Sequence, residues 1–252
     1  MEIVIVALVG MLLGSFLSVL IGRWPHWRGV ATGRSHCPNC MHTLAWYDLI
    51  PVASWAWLRG RCRYCGGPIS PLYPALEVSV AAVLGIAVAL FGVGSWWSII
   101  GLVILFGLIA LFFFDLIHRM LPDVIVYPLT GVVLFRILLE RPDLLVNALA
   151  AGVLLSAAFG LLYLRSRGRW LGLGDVKLAF TIGVLFGYPI AIGVTLVAIW
   201  VGALMGVGLM LFRRATMTTE LPFGSFWTAA AIVTILSPGW VAYLSGLLMP
   251  AW

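Results

Sequence analysis

"LAFTIGVLFGYPIAIGVTLVAIWVGALMGVGLMLF", residues 178–212, contains no charged side chain. About 20 apolar residues in a helix cross the hydrocarbon layer of a bilayer, so this run is too long for one crossing and long enough for two. Gly187-Tyr188-Pro189 supplies a break there or a little beyond, because proline interrupts the helical ladder and glycine permits the turn. The composition agrees with lipid as the solvent. Of the 252 residues, 63% are hydrophobic and 10% charged, against roughly a quarter charged in soluble domains.

Working outward from that run, spans are expected near 3–22, 75–93, 97–117, 124–139, 144–164, 176–194, 195–212 and 223–248. The chain therefore reads as an all-α, polytopic membrane helical bundle of about eight transmembrane helices. No basic residue precedes the first apolar stretch and no small-residue cleavage site follows it. It reads as a retained helix with an outside N-terminus, not as a secretory signal. The net charge is +6, but its distribution matters more than its sum. With eight spans, Arg136 and Arg141 fall on one face and the other thirteen Lys and Arg residues on the opposite face. The positive-inside rule makes the thirteen-residue face cytoplasmic. The basicity is thus topological; the lipid bilayer is the partner it implies, and nucleic acid is not.

Residues 23–74 break the hydrophobic pattern with all four cysteines, three of the four histidines and six arginines. This gives three domains: 1–22, a first transmembrane helix; 23–74, a cytoplasmic insert; and 75–252, the rest of the membrane part. An insert of this size needs a staple. Cys37, Cys40, Cys62 and Cys65 form two CxxC pairs. Two such turns close a tetrahedral four-sulfur site with ligands at about 2.3 Å. Four sulfurs leave no open position, so zinc bound there is structural. Two disulfides are the alternative, and a reducing cytoplasm argues against them. His36 and His42 flank the first pair and read as surface residues.

Ionisable groups at membrane helices are costly and tend to serve function; here they are Glu77, Asp115, Asp123, Asp175 and Lys177. Asp115 falls about one turn inside the cytoplasmic end of the third span, and Asp175 at the cytoplasmic start of the sixth. Two carboxylates from distant segments thus share one depth. If they meet, one ionised and one protonated carboxyl can activate water and polarise a peptide carbonyl, as in aspartic proteases. Gly172 and Gly174 leave room beside Asp175 for another backbone. Lys177 either raises the ionised fraction of a nearby carboxylate or snorkels to the interface. An N-cap is the competing account of Asp175. Asp123, just after a proline, also reads as a cap, and Glu77 as a dipole partner in the first turn of its helix. Asp115, at a helix C-terminus, has no such explanation.

"GSFLSVLIGRWP" (14–25), "SWAWLRGRCRYCGGPISPLYPALE" (54–77), "DLIHRMLPD" (115–123), "GLGDVK" (172–177) and "LPFGSF" (221–226) together resemble the bacterial type IV prepilin peptidases. These are the leader peptidase/N-methyltransferases of the GxGD aspartic protease family. The resemblance spans nearly the whole chain. It implies catalytic carboxylates at Asp115 and Asp175, with Gly172, Gly174, Lys177 and Asp123 in support. It implies prepilin and pseudopilin substrates in the inner membrane, cut after a glycine behind a short basic leader on the cytoplasmic side. The new N-terminal residue is then methylated by S-adenosylmethionine, and the four cysteines are associated with zinc and with the methyltransferase part. The chain departs from the pattern at Ser18 and Asp48, where asparagine is common. Ile117 stands in place of an acid, and Ser225 in place of the proline that follows PFG. None of these removes a proteolytic carboxylate. A proton-coupled transporter predicts acids at the midplane and inverted halves, neither of which the sequence contains. A zinc-knuckle scaffold predicts that the aspartates tolerate substitution.

Overall fold

The computed structural model describes residues 1–25, 33–212 and 221–237 together with Gly239. Arg28, Arg213 and Arg214 of the charge asymmetry lie outside the described residues, as does the rest of the last expected span beyond Ser237 except Gly239. Apart from two isolated bridges, the described structure is helix, turn and loop. By contact it divides into two units, Met1–Val93 and Gly94–Trp252.

In the first unit, α1 (Glu2–Gly22) packs along α3 (Leu72–Phe91), with the short α2 (Ala53–Trp57) and a 3₁₀ turn (Trp46–Leu49) between them in sequence. Small residues make the α1–α3 approach possible: a Cβ on Gly14 would lie 2.7 Å from the Glu77 Cα. Without water to drive helices together, such backbone proximity carries the association through dispersion.

The cysteine insert is built from two similar knuckles. In the first, Cys37 N–H donates to the His42 carbonyl and Met41 N–H to the Cys37 carbonyl; in the second, Cys62 N–H donates to Gly67 and Gly66 N–H to Cys62. Met41 (φ 57°) and Gly66 (φ 70°) occupy matching positions, four residues after the first cysteine of each pair. The bridges His36–Thr43 and Arg61–Pro68 close the knuckles in the same way. A short repeat is present here that the long-range sequence pattern does not reveal. Asp48 ties the loops together by accepting from Arg63 Nε at 2.7 Å, Tyr64 Oη at 3.0 Å and Ala45 N–H at 3.2 Å. Burial opposes its charge, but the Arg63 and Tyr64 contacts outweigh burial and hold its carboxyl below the ordinary aspartate range.

The second unit holds α4 (Trp96–His118), α5 (Asp123–Glu140), a 3₁₀ turn (Pro142–Leu144), α6 (Leu145–Ser166), α7 (Leu173–Phe186), α8 (Ile190–Leu211) and α9 (Phe223–Leu236). Ser95 caps α4 by accepting the Ser98 N–H, and Arg119 ends it in the left-handed conformation. Short α7 is central, in contact with α5, α6, α8 and α9. Leu178, Ala179 and Ile182 are fully buried there, and Leu108, Leu111, Trp227 and Ala231 belong to the same core. On α7, Gly183 meets α6 so closely that a Cβ would lie 2.5 Å from the Gly152 Cα. Thr130 of α5 and Thr181 of α7 share a buried hydrogen bond at 2.7 Å.

Every expected span has a helix, so the all-α membrane bundle stands. Among the described residues, five segments are long and apolar enough to cross a membrane by length and composition: Glu2–Gly22, Leu72–Phe91, Trp96–His118, Pro142–Ser166 and Ile190–Leu211. The charge-free run breaks at Gly187-Tyr188-Pro189, with α7 ending at Phe186 and α8 starting at Ile190, and not at the expected 194/195 boundary. Gly187 has φ 64°, which glycine adopts without the clash a Cβ brings. At its other end α7 begins at Leu173 and not at 176, so Asp175 lies inside the helix.

Candidate active site and metal centre

Asp115 is 5% exposed, near the C-terminal end of α4. Its Oδ2 accepts the Ser225 N–H at 2.6 Å and the Ser225 hydroxyl at 3.0 Å. Ser225 lies in the first turn of α9, where backbone N–H groups lack helical acceptors and the dipole favours an anion. An anion that its own helix end disfavours is therefore accommodated as the cap of a different helix. In the sequence Ser225 stands out only as a departure from the family pattern. Its usable signal was the proline before "FGSF", which marks a helix entrance.

Asp175, half-buried in the first turn of α7, accepts the Gly172 N–H through Oδ2 at 3.1 Å. Asp175 is therefore not the N-cap, which is Gly172; it is the third residue of the helix and reaches back to the cap N–H, while lying close to Asp115. Leu121 shows the proximity. A Cβ on Gly174 would lie 3.0 Å from the Leu121 Cβ, and one on Gly224 would lie 3.2 Å from Leu121 Cδ1 and 3.1 Å from Asp115 Cγ. One leucine therefore lies against the backbone beside each aspartate. Among the described residues, Oδ1 of each carboxylate has no protein hydrogen-bond partner. Each acid is thus anchored through one oxygen alone.

Lys177 pairs with a carboxylate other than Asp115 and Asp175. Its Nζ donates to Asp123 Oδ1 at 2.6 Å and Oδ2 at 2.8 Å, and lies 5.4 Å from the centroid of the Tyr127 ring. Asp123 is correspondingly no side-chain cap: it opens α5 after Pro122 and ion-pairs across to α7. The pair ties α5 to α7 close to Asp175. Glu77 also differs from expectation. Because α3 starts at Leu72, Glu77 falls in the second turn, is 7% exposed, and accepts the Val52 N–H at 2.7 Å.

The sulfurs of Cys37, Cys40, Cys62 and Cys65 all lie within 4.8 Å of one another, and all four are free thiols. Cys37 and Cys65 are 3.9 Å apart. A tetrahedron with metal–sulfur bonds of about 2.3 Å has edges of about 3.8 Å, so the four thiols fit a metal ion as they stand. His36 and His42 lie outside this group; His42 stacks on Tyr64 with centroids 3.7 Å apart.

Residues 8–91 match the Bacterial Peptidase A24 N-terminal domain, and residues 102–207 match the Type IV leader peptidase family. The prepilin leader peptidase/N-methyltransferase of Aeromonas hydrophila is 33% identical, over 98% of this chain and 92% of that protein. The Pseudomonas aeruginosa protein of the same name is 30% identical, over 95% and 89%. A type 4 prepilin-like proteins leader peptide-processing enzyme of Escherichia coli is 32% identical, over 90% of each. No solved structure matches the chain. With two convergent carboxylates, a four-thiol cluster and end-to-end similarity of this extent, the chain belongs to the prepilin leader peptidase/N-methyltransferase family.

Proposed function

We propose that this chain is an intramembrane aspartic endopeptidase. It removes the short basic leader of prepilins and pseudopilins after a glycine at the cytoplasmic face, then N-methylates the new N-terminal residue with S-adenosylmethionine. The observation that carries the peptidase reading is the convergence of Asp115 and Asp175 on Leu121, each anchored through one oxygen with the other left open. The apolar N-terminal helix of the substrate enters among the membrane helices, and its basic leader stays in the cytoplasm of a bacterial inner-membrane setting.

One carboxylate takes a proton from water as the water oxygen attacks the carbonyl carbon of the scissile peptide. The other, protonated, donates to the carbonyl oxygen. The tetrahedral intermediate collapses with cleavage of the C–N bond, and the departing amine takes up a proton. The two acids titrate as a unit. Gly174 admits Leu121 close to the backbone, Gly172 supplies the N–H that orients Asp175, and the Asp123–Lys177 pair fixes α7 against α5. Cys37, Cys40, Cys62 and Cys65 hold a structural zinc ion that organises the insert 23–74, which is associated with methyl transfer. Segment 1–22 anchors that insert in the membrane, and the part from 75 to 252 carries the peptidase carboxylates.

Asp115→Asn and Asp175→Asn keep the side-chain volume and the anchoring hydrogen bonds. Each is expected to insert and fold normally and to slow leader release by about 1,000-fold or more. Mass spectrometry of a prepilin peptide incubated with the purified chain reads this directly. Leader release at the wild-type rate by either variant removes that residue from the mechanism.

A further inference from the structure

From Trp46 to Trp57 every exposed side chain is apolar or aromatic. Asp48, the one charged residue of this stretch, is turned inward onto Arg63. On α2 the outward residues are Ala53, Ala56 and Trp57, spaced i, i+3 and i+4 and so on one helical face. Trp46, Leu49 and Ile50 precede them on the 3₁₀ turn and its exit, and that turn packs on α2. The tryptophans divide in the same sense. Trp55 faces the insert and donates its indole N–H to the Ile69 carbonyl at 3.2 Å. Trp46 and Trp57 are 77% and 83% exposed, and among the described residues their indole N–H groups have no partner. A contiguous apolar face of this kind marks a surface that something covers.

Its position says what. Val52, inside the stretch, donates its N–H to Glu77 Oε2 at 2.7 Å. Glu77 lies five residues into α3, about 7.5 Å from its start, and Gly14, which it abuts, lies eight residues, about 12 Å, from the end of α1. Both helices are long and apolar enough to cross a membrane. The stretch therefore runs alongside the last turns of two spanning helices and not beyond them, at the depth where hydrocarbon gives way to headgroups. Arg59 and Arg61 follow at its edge, exposed and, among the described residues, without ion pairs. Their charge complements anionic lipid phosphates and repels a basic peptide.

We propose that Trp46–Trp57 is an interfacial membrane anchor. Trp46, Leu49, Ile50 and Trp57 enter the headgroup–acyl boundary of the adjoining leaflet, and Arg59 and Arg61 bind its anionic phosphates. An indole, with its apolar body and single N–H, suits that boundary, and an amphipathic segment buries its apolar face there to about 5–10 Å. The anchor gives the insert a third attachment besides the two helices that tether it. It rests on the membrane-spanning reading of α1 and α3 and on nothing in the proposed chemistry.

The test uses the full chain carrying Trp57→p-benzoylphenylalanine, a photo-crosslinking side chain, in nanodiscs of phosphatidylethanolamine and phosphatidylglycerol in equal parts, with a prepilin peptide present. Mass spectrometry identifies the adducts. Lipid adducts are expected, with phosphatidylglycerol favoured about fivefold or more, and Arg59→Gln/Arg61→Gln in the same chain should abolish that preference. Adducts on the peptide or on a second copy of the chain overturn the inference, because the occupant is then protein. A probe that reacts with neither lipid nor protein also overturns it, because the face then meets water. Lipid adducts without a headgroup preference overturn the part given to Arg59 and Arg61. A second measurement needs no photoprobe. The emission lost in Trp46→Phe/Trp57→Phe belongs to those two indoles, and lipid brominated near the glycerol should quench it; quenching by aqueous acrylamide alone overturns the anchor. Leader release enters neither readout, so failure here leaves the peptidase reading untouched.

Discussion

Ser225 directs two donors at a single oxygen of Asp115, and a proline at that position would have no N–H to give. Ser225→Ala keeps the backbone donor and loses the hydroxyl. A hydrogen bond to a charged group contributes about 1.5–3 kcal/mol, so kcat for leader release should fall about tenfold or more while KM changes little, as steady-state cleavage assays will show. Residues of this kind mark the limit of what a linear reading offers. Asp115 stood out as an anion at the wrong end of its own helix, but the helix it caps arrives 110 residues later. Lys177 likewise looked free to snorkel because Asp123 lies 54 residues away. Hydropathy and spacing report which groups need partners. They do not report which remote element supplies them.

At the scale of elements, the α6–α7 seam is set by Gly152 and Gly183, whose backbones leave no room for a side chain. Gly183→Val must force the helices apart. It is expected to lower the thermal midpoint of the purified protein and to abolish leader release, since Asp175 rides on α7. Gly131 is the control, being helical, exposed and without a neighbour within 4 Å of a built Cβ. Gly131→Ala should leave activity intact and raise stability by about 0.5–1 kcal/mol. The helices themselves were legible because apolar runs of membrane length are hard to hide. Their ends were less so. Through 178–212 the only punctuation is Gly187-Tyr188-Pro189, so the real break was visible but hydropathy alone spread it several residues too far. The start of α7 was obscured for the opposite reason: Gly172, Gly174 and two charged residues look like loop, yet Leu173 already begins the helix.

On the scale of the whole molecule, the boundary of the two units, Val93/Gly94, falls in the gap between the two family matches, 8–91 and 102–207. Removing zinc with a chelator should therefore act on one unit. The knuckles become susceptible to proteolysis and methylation falls, while far-UV circular dichroism and leader release stay close to those of the untreated protein; parallel digestion and mass measurements follow each effect. The four-thiol cluster was legible because its cysteines come in two local pairs, whereas the place of Glu77 was not, because neither the start of α3 at Leu72 nor the loop that returns through Val52 is marked in the sequence. The α6–α7 register has one more consequence. Gly152 lies against Phe180 and Gly183, and Gly160 against Val176, so α6, with 22 residues, overshoots α7, with 14, by about a turn at each end. The connector 167–172 therefore has to descend about a turn from the end of α6 to reach the start of α7, and most of it stays exposed, as irregular backbone at such a step must be unless protein encloses it.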